Sequence, residues 1–281
     1  MISLFKRSNP HKRFAEELAT HELPAFPALL WSVLEQLRDP ETSLDVIAER
    51  IAVDPALAVK LLKTVNSAAV GRRSSVHSVS HAVALMGRRH VESVVLALAV
   101  QKVLPSAPRP GFNAEDYWRG AAGRAALARN LATLVCPRQT AFNFTAALLQ
   151  NMAVPLLAHH GPDSYGDVLV AANQLGEELS ALEARQFGWS HADVGAWMGE
   201  QWAFPEELPA AITHHHRTAS ADAVESAPAC LVAELDDFGA EGADWLVSVL
   251  DETFAIPADL TTATLQAARE ESDQLARVIL G

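Results

Sequence analysis

Apolar side chains recur at helical spacing along most of this chain. The apolar residues of 44–51 follow the i, i+3, i+4, i+7 pattern of one helix face, and Thr42 or Ser43 is placed to cap it. Asp54 and Pro55 then signal a second helix, with aspartate as its N-cap and proline at its first position. The sequence shows no sustained alternation typical of a strand, no hairpin signal and no internal repeat. The pattern predicts an all-α fold.

Glycine and proline positions divide the helical pattern. Gly87 is expected to end a helix over Val79–Met86, ahead of a more apolar and central helix over Arg88–Leu104. The Pro105–Gly111 run is the clearest break in the chain. Later helices are predicted at about 115–134, 145–158 with a bend at Pro155, 164–175, 179–187, 191–202, 206–215, 224–238, 244–253 and 262–280.

These breaks suggest an organisation into three parts. Residues 1–20 are basic and are predicted to form a flexible N-terminal tail, although their order cannot be derived from sequence. Residues 21–110 would form an N-terminal helical lobe and residues 111–281 a C-terminal helical lobe.

Charge and cysteine content narrow the function classes. A formal net charge of −12 argues against broad nucleic-acid binding, which needs a basic surface. Cys136 and Cys230 are the only cysteines, and neither has a partner at a zinc spacing, which fits a reducing compartment. The first residues lack the apolar run of a signal peptide, and the longest apolar stretch, Val94–Val100, is too short to cross a bilayer. We expect a soluble, cytoplasmic protein with no membrane partner.

Histidines form three groups: His159 with His160, His191 alone, and the run 214–216. Neighbouring histidines in a helix point about 100° apart, so at most one of each run faces a common point. Each histidine alone is more typical of a cap, a surface position or a hydrogen-bonded core residue than of a metal ligand. This holds especially for His191, in the first turn of a helix that a Ser190–Asp193 box would cap. No nucleotide-binding glycine pattern, G-x-S-x-G or H-E-x-x-H motif is present.

Several motifs together resemble the HDOD family, bacterial output domains related to HD-type metal-dependent phosphohydrolases. The motifs are Leu23-Pro24-Ala25-Phe26-Pro27, Asp54-Pro55-Ala56-Leu57 followed by Asn66-Ser67, Tyr117-Trp118-Arg119, Ala146-Ala147-Leu148-Leu149, the segment from His191 to Pro205, and His214-His215. The resemblance covers about residues 20–280 in the family's order. It implies an all-α fold with a smaller N-terminal lobe, an HD-phosphohydrolase-like C-terminal lobe and a role in bacterial signal transduction.

The sequence departs from the HD pattern at the metal-ligand positions. HD enzymes carry a histidine after the Trp-Arg segment and an adjacent His-Asp pair after the Leu-Leu segment; here these positions hold Gly120, Gln150 and Asn151. The later aspartate of the pattern falls on Glu234. Glycine offers no ligand atom, and amides are neutral, whereas a water-activating metal needs imidazole or anionic ligands. We therefore expect no catalytic residues, no metal and no cofactor.

What remains of the HD site would be a vestigial pocket. Its members would be Gly120, Gln150, Asn151, His191, His214, His215 and Glu234. The histidine run is not followed by the Gly-Tyr-Pro loop of the related cyclic-di-GMP phosphodiesterases, which argues against that subclass.

Two functional hypotheses follow. The first is a non-catalytic regulatory module that binds other signalling proteins, with Asn66 and Ser67 as a candidate contact, although such a pair at a helix end is more often a local backbone cap. The second is a nucleotide-binding sensor or residual phosphohydrolase that reuses His191, His215, Gln150 and Asn151. The partner, the pathway and the oligomeric state are not derivable from the sequence.

Overall fold

The computed structural model describes residues 23–67, 75–217, 225–233, 235 and 240–280. These residues form helices and no strand; the single extended feature is an isolated antiparallel bridge between Arg109 and Phe112. The all-α prediction is confirmed. In chain order the helices are α1 (Ala28–Arg38), α2 (Leu44–Ala52), α3 (Pro55–Ser67), α4 (Val79–Val103), α5 (Ala114–Val135), a short 3₁₀ turn (Pro137–Gln139), α6 (Thr140–Leu149), α7 (Ala153–His160), α8 (Tyr165–Leu175), α9 (Leu179–Phe187), α10 (His191–Gln201), α11 (Glu207–His214), α12 (Ala227–Ala233), α13 (Ala240–Phe254) and α14 (Ala258–Leu280).

Local sequence signals explain where several helices begin. The Ser43 hydroxyl accepts a hydrogen bond from the Val46 amide and caps α2. The Asp54 carboxylate accepts from the amides of Ala56 and Leu57, at 2.9 and 3.1 Å, and caps α3. Side-chain oxygens here satisfy amides that have no partner within the first turn. Both predicted caps are confirmed.

Gly87 breaks α4 into two stretches that meet at a kink. Its backbone has φ of 71° and ψ of 162°, a combination that is essentially restricted to glycine. The second stretch carries the apolar run from Val91 to Val100 and packs against α1, α2, α3 and α6. The predicted stop at Gly87 and the predicted central helix are both confirmed.

The single helix predicted over 145–158 is instead two helices. α6 ends at Leu149, and a turn over 150–152 precedes α7. Pro155 therefore lies in the first turn of α7, where its missing N–H leaves no hydrogen bond unmade. The prediction of a bent continuous helix was wrong because proline fits the start of a helix better than its middle.

The chain divides into two compact units that are not consecutive lobes. The first unit contains Leu104–Ala114 and Gln150–His215, together with the described residues up to Ala25; the second contains Phe26–Val103, Glu115–Leu149 and the described residues from His216 onward. The expected lobes of 21–110 and 111–281 stay a prediction. Each unit is built from separate stretches of chain.

Gly111 fixes the segment 104–114 within the first unit. It has φ of 72°, and a Cβ at this position would lie 2.6 Å from Cβ of Leu169 in α8. The Asn173 side chain also donates a hydrogen bond to the Gly111 carbonyl at 3.2 Å. Only glycine permits this close approach, so the run that looked like a boundary is a packed part of the unit.

In the second unit, α14 packs against α3 and α13. Lys60 of α3 donates from Nζ to the Gln101 side-chain oxygen at 2.8 Å and to the Ile279 carbonyl at 3.0 Å. Gln101 also donates to the Ile279 carbonyl. The end of α14 is thereby tied to both α3 and α4.

The segment Pro137–His160 is long and apolar enough to pass as a membrane span by composition. Its 18-residue window is 83% buried within the protein, which is the behaviour of core helices in a soluble protein. Cys136 and Cys230 are both free thiols.

Candidate functional site

The first turn of α10 presents His191 to the interior of the first unit. The Ser190 hydroxyl accepts from the Asp193 amide at 3.4 Å, and the Asp193 carboxylate accepts from the Ser190 amide at 2.8 Å. This reciprocal pair is a capping box, so the prediction from the Ser190–Asp193 spacing is confirmed. The cap fixes where α10 begins and hence the direction of His191, which is 1% exposed.

A buried carboxylate, Glu183 of α9, holds His191 in place. Glu183 is 0% exposed, and one of its oxygens, Oε2, accepts from the His191 amide at 2.6 Å and contacts His191 Nδ1 at 2.7 Å. Its other oxygen accepts from the Tyr165 hydroxyl at 2.6 Å. Three donors therefore converge on one carboxylate with no access to water.

Tyr165 closes this cluster on the side of α8. Burial, and then the negative charge of Glu183, raise the pKa of Tyr165 well above its ordinary value. The phenol therefore stays neutral and acts as a hydrogen-bond donor. Its ring stacks on Phe187, which stacks in turn on Trp189 with ring centres 4.9 Å apart. These aromatic rings keep the carboxylate in an apolar environment.

His215, directly after α11, meets His191 from the other side. His215 Nδ1 contacts the Ile212 carbonyl at 2.6 Å, and the two Nε2 atoms of His191 and His215 lie 3.3 Å apart. A carbonyl only accepts, so His215 Nδ1 must carry its hydrogen and its Nε2 is an acceptor in the neutral ring. The sequence had left His214 and His215 as alternatives; it is His215 that contacts His191.

The contact with His215 requires His191 Nε2 to carry a hydrogen. If His191 carried hydrogen only on Nδ1, two lone pairs would face each other across 3.3 Å. A hydrogen on Nε2 points at His215, and a second hydrogen lies between Nδ1 and the Glu183 carboxyl group. The result is a continuous chain of hydrogen bonds, Tyr165–Glu183–His191–His215.

The pair lies close to the turn that precedes α7. Gln150 is 1% exposed, and its carbonyl oxygen would lie 3.9 Å from a Cβ placed on Gly195, one turn along α10 from His191. Asn151 has a buried side-chain oxygen, Oδ1, without a hydrogen-bond partner among the described residues. Two of the residues expected in the vestigial pocket thus belong to the same unit as His191 and His215.

The rest of the vestigial pocket stays a prediction. Gly120 lies in α5, within the second unit, and Glu234 lies outside the described residues. His214 is half-buried at the last position of α11.

Asn66 has a local structural role. Its side chain donates to the carbonyls of Leu62 and Val76, at 2.9 and 3.0 Å, and accepts from the Val76 amide at 2.7 Å. The amide therefore pins the segment at Val76 against the end of α3, which matches the backbone-cap alternative for this residue. The side chain of Ser67 lies outside the described part of the structure.

Glu183 and Tyr165 were missed by the sequence reasoning. One signal did exist, because Glu183 lies on the same helical face as Leu179 and Phe187, where an apolar residue is expected. An acidic residue on an apolar helix face indicates a buried partner, although the pattern does not say which residue that partner is.

The residues present do not match an HD-type metal centre. Among the residues that the structure describes, the possible metal ligands gathered here are His191, His215 and His216, which are all imidazoles. Glu183 reaches His191 only at Nδ1, the nitrogen away from His215, where it orients the ring. Imidazoles alone can hold one zinc-like ion, since two nitrogens on such an ion lie roughly 3.4 Å apart. They do not supply the adjacent His-Asp pair that the HD resemblance implies.

The described helices define an all-α protein. A family model for the HDOD domain matches residues 23–218, about seven-tenths of the chain by length. The chain therefore belongs to the HDOD family. The match ends before α12, short of the extent of about residues 20–280 expected from the motifs.

Known proteins of similar sequence or fold agree with this assignment. An uncharacterised protein of Treponema pallidum (strain Nichols) is 24% identical over 200 residues, which cover 69% of this chain and 38% of that protein. The chain thus spans well under half the length of this relative.

Three crystal structures share the fold. An HDOD domain protein of unknown function from Geobacter sulfurreducens has a TM-score of 0.74 at 18% identity, covering 96% of this chain and 99% of that one. A protein from Shewanella amazonensis SB2B, whose name proposes a phosphohydrolase, has a TM-score of 0.73 at 19% identity, covering 95% and 100%. A protein from Marinobacter aquaeolei VT8, whose name proposes signal transduction, has a TM-score of 0.69 at 21% identity, covering 96% and 62%.

Proposed function

We propose that this protein is a non-catalytic, cytoplasmic signal-transduction module that acts by binding other signalling proteins. The observation that carries the proposal is the hydrogen-bond chain through Glu183, His191 and His215. These contacts give both imidazoles a structural role that requires neither substrate nor metal.

The residues at the other expected ligand positions support the same proposal. Gly120 offers no ligand atom, and a Cβ there would meet only the end of the Arg124 side chain, at 3.3 Å. The backbone around position 120 would therefore allow a larger residue than glycine. Gln150 and Asn151 provide neutral amides where the resemblance implies an imidazole and a carboxylate. A metal that activates water is poorly served by such groups.

The names of proteins with this fold point in two directions. The Marinobacter name proposes signal transduction, and the Shewanella name proposes phosphohydrolase activity. Fold alone does not decide between them. The possible metal ligands within the described ranges are imidazoles alone, which favours the signalling role.

Metal content and phosphatase activity test the non-catalytic part. Untagged protein purified without chelator should contain metal far below one ion per chain by elemental mass spectrometry. Background hydrolysis of p-nitrophenyl phosphate and nucleoside triphosphates should be the same for the natural protein and His191→Ala. About one iron, manganese or zinc per chain, with turnover that His191→Ala abolishes, would overturn the proposal.

An exposed apolar surface on the second unit is the candidate partner contact. Val53 and Val59 are 64% and 50% exposed, and Val59 lines an open groove together with Lys63 and Arg277. Exposed apolar side chains beside cationic groups suit an acidic, amphipathic segment of a partner protein.

A matched pair of variants tests this surface. Val59→Asp should lose the partners that the natural protein captures from a lysate of its own organism, whereas Leu175→Asp should keep them. Leu175 belongs to the first unit and lies away from the groove in sequence. Val59 and Leu175 are 50% and 66% exposed, so neither change should lower the melting temperature appreciably. Capture of no protein, or equal capture by both variants, would count against the proposal.

A nucleotide-binding sensor is the second candidate, and Asn151 favours it. Its buried Oδ1 could accept a hydrogen bond from a base or ribose, since no described residue donates a hydrogen bond to this oxygen. Thermal unfolding with ATP, GTP and cyclic dinucleotides tests this candidate, with Asn151→Ala as the matched variant. No rise in melting temperature at millimolar nucleotide would exclude the sensor.

A further inference from the structure

The second unit contains a cavity of about 170 Å³, open on one side, that is separate from the histidine pair. Its walls come from α3, α4, α5, α6 and α14. The lining residues are Thr64, Val65, Leu85, Met86, His90, Ser93, Val94, Arg129, Phe144, Glu271 and Leu275.

Most of this cavity is apolar, and its size limits what can fit. Val65, Val94, Phe144 and Leu275 are each less than 7% exposed and form a rigid apolar wall. An apolar cavity of about 150 Å³ in another protein is large enough to hold benzene. A cavity of 170 Å³ therefore has room for one substituted aromatic ring and little more.

A partly buried ion pair supplies polar groups at one side. Arg129 Nη2 lies 2.5 Å from Glu271 Oε2, and that same oxygen accepts from the Asn130 side chain at 2.8 Å. The other oxygen of Glu271 and the remaining N–H groups of Arg129 make no hydrogen bond to the described residues. One acceptor and several donors thus remain for a ligand, while the charges of the pair cancel.

His90 adds a neutral acceptor. Its Nδ1 contacts the Met86 carbonyl at 3.1 Å across the kink of α4, so the hydrogen resides on Nδ1 and Nε2 is left as an acceptor. Burial, and then the positive charge of Arg129, lower the pKa of His90, so the ring remains uncharged near neutral pH. The cavity therefore carries no net charge that a charged ligand could balance.

We propose that this cavity binds a small uncharged molecule, about the size of one substituted aromatic ring, that carries a hydroxyl or amide group. The ring packs against Phe144 and Leu275. Its polar group accepts from Arg129 and donates to Glu271 or His90. A carboxylate or an ammonium group is excluded, because it would be buried without a countercharge.

The site also gives α14 a function. Glu271 and Leu275 lie on α14, beyond residue 218 where the HDOD match ends. A bound molecule would contact α14 together with α3, α4, α5 and α6, and so would stabilise α14 against the helices of the family's own region. This property goes beyond the proposed binding of signalling proteins and does not depend on it.

Thermal unfolding of the full chain with defined probes tests the proposal. Phenol and benzamide should raise the melting temperature by about 3 °C at roughly ten times their dissociation constants. Benzoate and benzylammonium have the same ring but carry a charge, and they should produce no shift. No shift with any neutral probe, or equal shifts with the charged probes, would overturn the proposal.

Variants locate the binding site. Met86→Trp enlarges a half-buried wall residue and should abolish the shift, and Glu271→Gln should weaken the binding of phenol about tenfold at unchanged side-chain volume. Glu270→Gln alters the exposed neighbouring residue on α14 and should bind like the natural protein. If Met86→Trp does not fold, Glu271→Gln still decides: an unaltered response in a folded Glu271→Gln protein would place the probe elsewhere and refute the site.

Discussion

Truncation of Glu183 to alanine tests the hydrogen-bond chain at its centre. The change removes the acceptor for the Tyr165 hydroxyl at 2.6 Å, the His191 amide at 2.6 Å and His191 Nδ1 at 2.7 Å. Each buried donor that loses its partner costs about 1–3 kcal/mol. The three donors share one carboxylate and their costs overlap, so we expect a total loss of about 4 kcal/mol.

Such a loss should lower the melting temperature by about 10 °C for a chain of this size. Urea unfolding followed by tryptophan fluorescence, together with scanning calorimetry, measures both quantities. Glu177→Ala is the matched control, because Glu177 lies close in the chain but forms an exposed ion pair with Arg185 at 2.9 Å. An exposed pair of this kind contributes at most about 0.5–1 kcal/mol.

Glu183→Gln separates the role of the charge from that of the acceptor. Glutamine keeps one oxygen but places an NH₂ group against a donor. We therefore expect the free energy of unfolding to fall by about 2 kcal/mol, which is less than the loss expected for Glu183→Ala. The reasoning is refuted if Glu183→Ala costs less than about 1 kcal/mol, or no more than Glu177→Ala, because three buried donors would then have been lost without consequence.

Other side chains give independent predictions. Asn66→Ala deletes three hydrogen bonds and should lower the free energy of unfolding, measured in urea, by about 2 kcal/mol. If the variant loses partner binding but no stability, the role of Asn66 is intermolecular. Gly87→Ala should cost about 1–3 kcal/mol by the same assay although a Cβ there meets nothing within 4 Å, since the penalty comes from φ of 71°; a neutral result would contradict the observed kink. Burial raises the pKa of the Cys136 thiol to about 11, so in a Cys230→Ser protein iodoacetamide should alkylate Cys136 slowly at pH 8 and faster up to about pH 11; rapid alkylation at pH 8 would disprove this burial.

The parts of the fold that could be predicted are those that depend on a few neighbouring residues. Ser43, Asp54 and Ser190 cap their helices through contacts within three residues, so sequence spacing was sufficient. The break after Leu149 could not be predicted in this way. The turn begins at Gln150, a polar residue that the tertiary structure buries to 1% exposure.

The candidate site was predicted to the same limited extent. His191 and His215 were named, but the residue that orients His191 was not, since Glu183 belongs to another helix and looks like a surface glutamate. Which histidine of the 214–216 run would face His191 depends on where α11 ends, and helix ends are the least certain feature of a sequence pattern. The Pro105–Gly111 run was interpreted as the boundary between two lobes because its prolines and glycine break the helical pattern. The amino-acid composition of the run does not show that Gly111 packs against Leu169.

The approach of Gly111 to Leu169 has a consequence for the order in which the protein folds during synthesis. Gly111 leaves the ribosome long before the chain that forms its packing surface, and residues of the second unit are synthesised in between. The first unit can close only after the chain has been made as far as His215. A chaperone or protease would therefore meet the segment 104–114 with its final contacts unmade, while α1 to α4 already have much of their own packing available.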